Sequence, residues 1–224
     1  NGLLYGVAAN GYPYVQCPEI GSFIFSLSLS GEFKRYEDFG GCPHGDDVPP
    51  VVTGLMEASD GNLYGAAQET GGFGQNGVIF QMSLDGSQFH PILDMTLASG
   101  LEPGGFEGAG LIQGSDGALY GTARNGGTYQ SGTVFRIDMG LTPPLPVVSY
   151  LSPASAAPDS SVIIAGQHLL GTTAVSFNGV AATTVTSRGP NYVLAVVPPG
   201  ATSGPVTVTT PNGTVASKSN FTVQ

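Results

Sequence analysis

Hydrophobic positions in this chain come in short runs that alternate with polar positions and end at Gly, Pro or Asp-Gly. Val78–Met82, Thr133–Ile137 and Tyr192–Val197 are examples, and all three are rich in β-branched or aromatic residues. Such runs predict β-strands, because successive side chains of a strand point to opposite faces. No stretch shows a helical period of useful length, so the pattern predicts an all-β protein.

One group of these runs recurs along the chain. Gly54–Gly65 reads GLMEASDGNLYG, and Gly110–Gly121 repeats it as GLIQGSDGALYG. Leu-Tyr-Gly also opens the chain at 4–6, and an Ile-Phe or Val-Phe pair follows each copy. A period of about 55 residues with strand-like contents predicts a modular β architecture.

Each repeat predicts strand, Asp-Gly turn, strand, long loop, strand, turn and strand. In the turns at Asp60-Gly61 and Asp116-Gly117 we expect positive φ at both residues. A four-stranded antiparallel meander of this period is typical of a β-propeller blade. The first repeat lacks its opening strand and the third its closing strand, which leaves about two and a half blades. We therefore predict a partial β-propeller with exposed sheet faces and strand edges.

The phrase SDG-x-LYG, followed by a Gly-rich loop and then G-(T/V)-(V/I)-F, resembles the GloVer tandem repeat of secreted and surface-anchored bacterial proteins. The resemblance covers residues 1–139, within a predicted repeat domain at 1–141. It is weaker in the first repeat, where a longer loop holds Cys17. It implies a propeller-like architecture and an extracellular or cell-surface location, without a particular chemistry.

The rest of the chain predicts a second all-β domain at 147–224, after a Pro-rich linker at 142–146. Its short Val- and Thr-rich strands, separated by turn residues, are typical of a small β-sandwich. Segments such as Ala174–Ala182 and Val197–Val208 resemble an IPT/TIG immunoglobulin-like domain. At Ala156–Asp159 the chain departs from that family, which commonly has a Gly-containing turn there. The resemblance implies a spacer, dimerisation or surface-display module, with ligand binding in some members.

Composition and charge limit the partners and the cellular locations that the chain is expected to have. The chain has 35 Gly and 17 Pro, only 10% charged residues and a net charge of −10. No basic stripe is present for nucleic acid, and anionic membrane surfaces are disfavoured for the same reason. No apolar run is long enough to cross a bilayer. Sparse Lys favours a secreted or cell-surface protein.

The two cysteines, Cys17 and Cys42, lie in the same repeat. In an oxidising compartment we expect them to form a disulfide, which stabilises the fold by roughly 3 kcal/mol. The alternative is two free buried thiols in a reducing cell. Asn1-Gly2 does not look like a native start. Because about two and a half blades do not close a propeller, the expected partner is either the remainder of a longer chain or other copies of this one.

Aromatic residues and amides recur in the loops between the second and third strands of the repeats. These are Tyr12, Tyr14, Phe73 and Tyr129, with Asn10 and Asn125 nearby. Flat rings beside amides suit stacking on sugars, so glycans are a candidate ligand. The alternative is that each ring packs on the neighbouring blade and fixes its loop. Tyr5, Tyr64 and Tyr120 repeat with the blade, so we expect structural roles and a bonded hydroxyl for each.

Other motifs give little indication of a cofactor, metal or catalytic site. The segment 72–77 fits G-x-G-x-x-G, but a strand follows it where a dinucleotide site needs a helix. Asp46 and Asp47, next to His44, are a weak metal site whose oxygens would suit calcium, and a solvated loop is the alternative. No other cofactor is predicted. No motif selects a catalytic pair among the many carboxylates, so the sequence favours a non-enzymatic protein and leaves activity open.

The sequence thus favours a non-enzymatic extracellular protein of a bacterial surface or filament, structural or adhesive, that assembles head to tail. The alternative is a carbohydrate-binding or ancillary module of a secreted polysaccharide-active enzyme. A third hypothesis is a propeller enzyme that acts on polysaccharide itself.

Overall fold

The computed structural model describes most of the 224-residue chain. The described residues are 2–9, 22–39, 51–68, 77–94, 110–123, 129 and 131–224. All regular structure in them is β-strand, arranged in several sheets of which none closes on itself. This confirms the all-β prediction. The chain divides into two compact units, Asn1–Leu141 and Thr142–Gln224.

The described part of the first unit contains ten strands in three antiparallel sheets. Their bounds are β1 (Leu3–Ala9), β2 (Ser22–Ser28), β3 (Phe33–Phe39), β4 (Val51–Glu57), β5 (Leu63–Gln68), β6 (Val78–Met82), β7 (Phe89–Asp94), β8 (Ile112–Gln113), β9 (Leu119–Ala123) and β10 (Thr133–Ile137). The first sheet has the order β1-β2-β3, the second β4-β5-β6-β7 and the third β10-β9-β8. Among these described strands, only the second sheet holds all four positions of the repeat.

The Leu-Tyr-Gly and Ile/Val-Phe phrases meet as neighbouring strands in every sheet. Each Gly of the first phrase pairs with the Phe of the second. The pairs are Gly6–Phe25, Gly65–Phe80 and Gly121–Phe135. A Cβ atom on these glycines would lie 2.6, 2.4 and 2.3 Å from the Phe ring. Gly recurs because the Phe ring lies directly over it and leaves no room for a side chain.

The Asp-Gly turns differ from the prediction in one respect. Gly61 has the expected positive φ of 78°, but Asp60 does not. Instead, Asp60 Oδ1 accepts a hydrogen bond from the Asn62 N–H at 3.1 Å. Asp116 accepts the same bond from Ala118, also at 3.1 Å. The prediction of positive φ at Asp was wrong, because Asp fixes the turn through its carboxylate.

The second sheet is buried on both faces, because it contributes to two hydrophobic clusters. One cluster joins it to the first sheet; its buried members are Ile24, Val52, Leu63, Ala67, Val78, Phe80 and Met82. The other joins it to the third sheet; its buried members are Ala58, Tyr64, Ala66, Ile79, Leu111, Leu119 and Phe135. The three sheets are therefore stacked face to face, with the second in the middle.

The second unit contains two four-stranded sheets and a short parallel pair. The strands are β11 (Val147–Ser152), β12 (Ser155–Ala156), β13 (Ser161–Gln167), β14 (Ala174–Phe177), β15 (Val180–Ala181), β16 (Val185–Ser187), β17 (Tyr192–Val196), β18 (Val206–Thr210), β19 (Gly213–Ala216) and β20 (Thr222–Val223). The sheets have the orders β11-β13-β17-β16 and β15-β14-β18-β19, and β12 pairs with β20. Both sheets bury their inner faces in one cluster, with Phe177 and Phe221 in edge contact at 5.1 Å.

The turn at which the chain departs from the IPT/TIG pattern contains a residue in the left-handed backbone conformation, and that residue is Asp rather than Gly. Asp159 has a φ of 65°. Its N–H donates to the Val197 carbonyl at 2.9 Å, which ties the turn to the end of β17. Asp tolerates this conformation better than most non-Gly residues.

The Pro-rich segment predicted as a linker belongs to the second unit. The Pro144 carbonyl accepts a hydrogen bond from Asn212 Nδ2 at 3.3 Å. The role of residues 142–146 as a linker stays a prediction.

Candidate functional site

Each sheet of the first unit has two faces, which we name after their recurring aromatic residue. The Tyr faces carry Tyr5, Tyr64 and Tyr120, and the Phe faces carry Phe25, Phe80 and Phe135. The two aromatic residues lie on opposite faces because Phe pairs with the Gly that follows Tyr, and neighbouring strand residues alternate.

The stack always joins a Tyr face to a Phe face. The Tyr face of the first sheet, with Tyr5 and Val7, packs on the Phe face of the second, with Phe80. The Tyr face of the second sheet, with Tyr64, packs on the Phe face of the third, with Phe135. One kind of interface is therefore used twice within the unit.

Polar contacts fix the edges of these interfaces. Tyr5 Oη donates to the Leu84 carbonyl at 3.0 Å, across the first interface. Across the second, Gln113 accepts from the Ser59 N–H and donates to the Ser59 hydroxyl, both at 2.9 Å. Such reciprocal bonds set the register of one sheet on the next.

The Tyr face of the third sheet is open. It carries Ile112, Tyr120, Thr122, Val134 and Arg136. Val134 is 75% exposed, whereas its repeat equivalent in the second sheet, Ile79, is fully buried. Ile112 is likewise 65% exposed. This surface is the repeat equivalent of one that is covered inside the stack.

The Phe face of the first sheet is open as well. It carries Leu4, Phe23, Phe25, Leu27, Phe33 and Arg35. The rings of Phe25 and Phe33 stack at 5.4 Å, and the Arg35 guanidinium lies 4.3 Å from the centroid of Phe23. Leu4 is 58% and Phe33 55% exposed. In the second sheet, Leu63 and Phe80, the equivalents of Leu4 and Phe25, are buried, and Phe89, the equivalent of Phe33, is partly buried.

A polar cluster lies at one corner of the covered Tyr face. Asp60 Oδ2 accepts from Tyr64 Oη at 2.9 Å and from Asn62 Nδ2 at 2.8 Å, and Gln81 Nε2 donates to Tyr64 Oη at 3.0 Å. Burial, together with the hydrogen bond to the Asp60 carboxylate, raises the pKa of Tyr64. Burial tends to raise the pKa of Asp60, but the bonds from Asn62 and Tyr64 outweigh it and lower that pKa. Tyr64 therefore acts as a neutral donor to an ionised carboxylate.

The open Tyr face carries the equivalent cluster with one change. Asp116 Oδ2 accepts from Tyr120 Oη at 2.8 Å and from Arg136 at 3.0 and 3.1 Å. Arg136 also reaches Asp138 at 3.5 Å. The bonds from Tyr120 and Arg136 lower the pKa of Asp116, and the same contacts raise the pKa of Arg136. The prediction that each recurring Tyr hydroxyl has a partner is confirmed.

Most residues that the sequence predicts as a site lie outside the described residues. These are Asn10, Tyr12, Tyr14, Phe73 and Asn125, the cysteines Cys17 and Cys42, and the metal candidates Asp46 and Asp47. Tyr129 is described, and its ring is 87% exposed, so it does not pack on a neighbouring sheet. The sequence predicts exposed sheet faces but does not identify the residues that lie on them, such as Val134 and Ile112.

Metal-binding clusters and membrane-spanning helices are absent from the part of the chain that the structure describes. No group of three His, Cys, Asp or Glu side chains there is placed to hold a metal ion. Nor does that part contain a helix with the length and apolar character needed to span a membrane.

Three stacked sheets built from one repeated phrase define an all-β repeat protein. The chain belongs to the Gloeobacter/Verrucomicrobia repeat family, whose profile matches residues 1–185. The match extends beyond residue 139, where the sequence resemblance ended, and reaches the start of β16. No curated protein matches the chain.

Similarity to solved structures is weak. A crystal structure of domains CD of another protein is 30% identical over 35% of this chain and 32% of its own, with a TM-score of 0.32. A crystal structure with xylogluco-oligosaccharide is 18% identical over 91% of this chain and 46% of its own, with a TM-score of 0.38. A fungal AA5-family alcohol oxidase in complex with copper is 13% identical over 100% of this chain and 52% of its own, with a TM-score of 0.34. This chain thus spans from about a third to about half of those chains, and none of these TM-scores establishes a shared fold.

Proposed function

We propose that this chain is a non-enzymatic extracellular structural protein of a bacterial surface, which assembles head to tail through the open faces of its repeat unit. The first unit would be a partial β-propeller of about two and a half blades. The second would be an immunoglobulin-like spacer after the 142–146 linker. The family takes its name from two bacterial groups, which supports the bacterial setting.

One observation carries the proposal: the two open faces are repeat equivalents of faces that already pack on each other inside the stack. A Tyr face meets a Phe face at both internal interfaces. The open Tyr face of one copy therefore suits the open Phe face of the next copy. Because the two faces differ, the contact is heterologous and gives rings or filaments rather than a closed pair.

The exposure of apolar side chains supports the same conclusion. Val134 and Ile112 on the open Tyr face, and Leu4 and Phe33 on the open Phe face, are each more than half exposed. Exposed apolar side chains grouped on one sheet face are characteristic of an interaction site. Covering them would complete the burial that Ile79 and Phe80 have in the middle sheet.

The assembly is tested with two charge variants and their mixture. Val134→Lys blocks the Tyr face and Phe33→Lys blocks the Phe face. Leu29→Lys is the matched control, because Leu29 is 86% exposed in a turn outside both faces. In sedimentation velocity, we expect mass to rise with concentration for the native chain and the control, and both blocked variants to stay monomeric.

Mixing the two blocked variants then distinguishes head-to-tail contact from a symmetric one. The mixture retains one intact Phe face and one intact Tyr face, so it should form dimers and nothing larger. A native chain that stays monomeric at high concentration contradicts the proposal. So does a variant that still dimerises by itself, which would indicate an isologous contact.

A second candidate function is glycan binding by the repeat loops, favoured by the 87% exposure of the Tyr129 ring. An unpacked aromatic ring is a suitable platform for a sugar. On a glycan array, Tyr129→Ala should lose binding that Tyr129→Phe retains. Equal binding by both variants would rule out a stacking role for this residue.

A further inference from the structure

The outer face of the β11-β13-β17-β16 sheet in the second unit carries a row of aromatic residues. Tyr150 pairs with Ala165, and Ala165 pairs with Tyr192. The three residues lie side by side on neighbouring strands. Residues on the opposite face of this sheet, such as Ile164 and Val193, are fully buried in the core. The row therefore points away from the core.

The two tyrosines flank a small residue and stay accessible. Tyr150 is 62% and Tyr192 44% exposed, whereas Ala165 between them is 7% exposed. Strands are spaced about 4.8 Å apart, so the two tyrosines are roughly 10 Å apart along the row. Ala165 adds no bulk of its own between them, and its low exposure shows that neighbouring side chains cover it.

The residues around the row are apolar or carry hydroxyls. Ile163 in the next row is 40% exposed and pairs with Ser152 on one side and Leu194 on the other. Thr186 continues that second row on β16. None of these side chains is charged, so the surface suits a neutral ligand with both hydroxyls and apolar C–H groups.

One charged residue lies at the end of the row. The Arg188 N–H donates to the Tyr192 carbonyl at 3.3 Å, so the register of β16 and β17 continues to this pair. Beyond residue 140 the chain has only two other charged residues, Asp159 and Lys218. An isolated Arg beside a Tyr supplies several hydrogen-bond donors with little charge around it.

The other sheet of the same unit has a different outer face. There, Ser176 and Thr207 hydrogen-bond to each other, and so do Thr209 and Thr214 at 2.9 Å. These hydroxyls already have partners within the sheet. The exposed aromatic row is thus a feature of one face and not of the unit as a whole.

We propose that this row, Tyr150–Ala165–Tyr192 with Arg188 at its end, binds a neutral, extended β-1,4-linked glucan chain. Sugar rings present apolar C–H faces that stack on tyrosine, while their hydroxyls bond to Arg188 and to the Tyr hydroxyls. The spacing of the two tyrosines is close to the length of one disaccharide unit in such a chain. Rings two strands apart therefore contact alternate units of a chain laid across the strands.

The experiment uses the full chain, with cellohexaose as the probe. The chain has no Trp and nine Tyr, so tyrosine emission reports binding directly. We expect saturable binding to cellohexaose that weakens about fivefold or more for Tyr150→Ala and for Tyr192→Ala, and is lost in the double variant. Maltohexaose, whose α-linkages curve the chain, should bind at least several-fold more weakly.

Three controls separate the possible causes. The double variant Tyr150→Phe with Tyr192→Phe keeps the rings and should retain most of the affinity, measured by calorimetry. Far-UV circular dichroism checks that each Ala variant is folded. Tyr129→Ala should leave cellohexaose binding unchanged, which separates this site from the loop site.

Several results would overturn the proposal. One is no binding of cellohexaose at about 10 mM, and another is equal binding by the native chain and the double Ala variant. Maltohexaose bound as tightly as cellohexaose would contradict the proposed linkage. Loss of self-association in the double Ala variant, without a change in sugar binding, would assign this face to a protein partner.

Discussion

The second and third sheets of the repeat unit are built from the same phrase but lie in different surroundings. In the second, Tyr64 is 1% exposed and its polar cluster is completed by Gln81. In the third, Tyr120 lies on an open face and its cluster is completed by Arg136. Both keep the Asp–Tyr hydrogen bond, at 2.9 and 2.8 Å.

The comparison distinguishes properties that the repeat sequence determines from properties that depend on the position of a sheet in the stack. The repeat sets backbone register and the Asp–Tyr bond, because both depend on neighbouring strands of one sheet. Burial depends on whether another sheet lies on top. A neutral Gln suits the cluster that is covered within the chain, since burying an unpaired Arg is costly, whereas Arg136 on the open face is paired with Asp116 and Asp138.

The largest expected difference concerns the recurring Phe. Phe80 is fully buried between two sheets, whereas Phe25 lies on an open face. Phe80→Ala should destabilise the first unit by about 3–5 kcal/mol, because it leaves a cavity that the sheets cannot fill. Phe25→Ala should reduce the free energy of unfolding clearly less, because Phe25 is only partly buried. Urea unfolding followed by tyrosine fluorescence measures both, and the transition of the second unit serves as the internal reference.

Equal losses for the two variants would contradict the comparison, since they would mean that Phe25 is as well covered as Phe80. If the native chain assembles, the measurement is made in the Val134→Lys background. That background keeps the open Phe face free of a neighbouring copy.

A second difference is expected at the glycines under these rings. A Cβ on Gly65 would lie 2.4 Å from the Phe80 ring and 2.9 Å from the Gly54 carbonyl oxygen, and neither can move freely. Gly65→Ala should therefore cost about 1–3 kcal/mol. Gly6→Ala should cost less, because the Phe25 ring can swing toward solvent. Urea unfolding of the two variants tests this, and Phe80→Leu should partly rescue Gly65→Ala. Absence of rescue would mean that the clash with Gly54 dominates.

Much of the fold follows from sequence because its cause is local. Alternating runs such as Val78–Met82 mark strands, and the repeated phrase marks equivalent strands in successive sheets. The role of Asp in the turns was not predictable from composition alone. Asp60 and Gly61 both tolerate positive φ, and only the structure shows that Asp60 acts through its carboxylate.

The candidate site was harder to predict, because burial between sheets depends on contacts distant in sequence. Val134 and Ile79 read alike in the repeat, yet one is 75% exposed and the other buried. In the second unit, Tyr150 and Tyr192 fall into one row only through the register of β11, β13 and β17. A β-bulge between Val148 and Tyr150 shifts that register, and the strand pattern gives no sign of it.

A third prediction removes the recurring hydroxyl. Tyr64→Phe takes a donor from Asp60 and an acceptor from Gln81 at the edge of a buried face, so it should destabilise the first unit by about 1 kcal/mol. In the Phe33→Lys background, in which no neighbouring copy covers the Tyr face, Tyr120→Phe should have no measurable effect, because Arg136 still binds Asp116 and water replaces the hydroxyl. Thermal unfolding of both variants gives the comparison. A larger loss for Tyr120→Phe would mean that the open face is covered in solution.

The smallest expected effect is a dependence of stability on pH. The pKa of Asp60 is lower in the folded chain than its ordinary value, so the unfolded chain binds the proton more tightly. The contribution of Asp60 is therefore fully present above about pH 4 and is lost as pH falls through its folded pKa. Because the carboxylate is partly solvated, the loss should stay below about 0.5 kcal/mol. Asp60→Asn should be less stable than the native chain at pH 7, and the difference should narrow by pH 3 in urea unfolding. A difference that is constant over this range would mean that the carboxylate's charge contributes nothing, and that the turn depends only on the shape of the side chain and its hydrogen bond to Asn62.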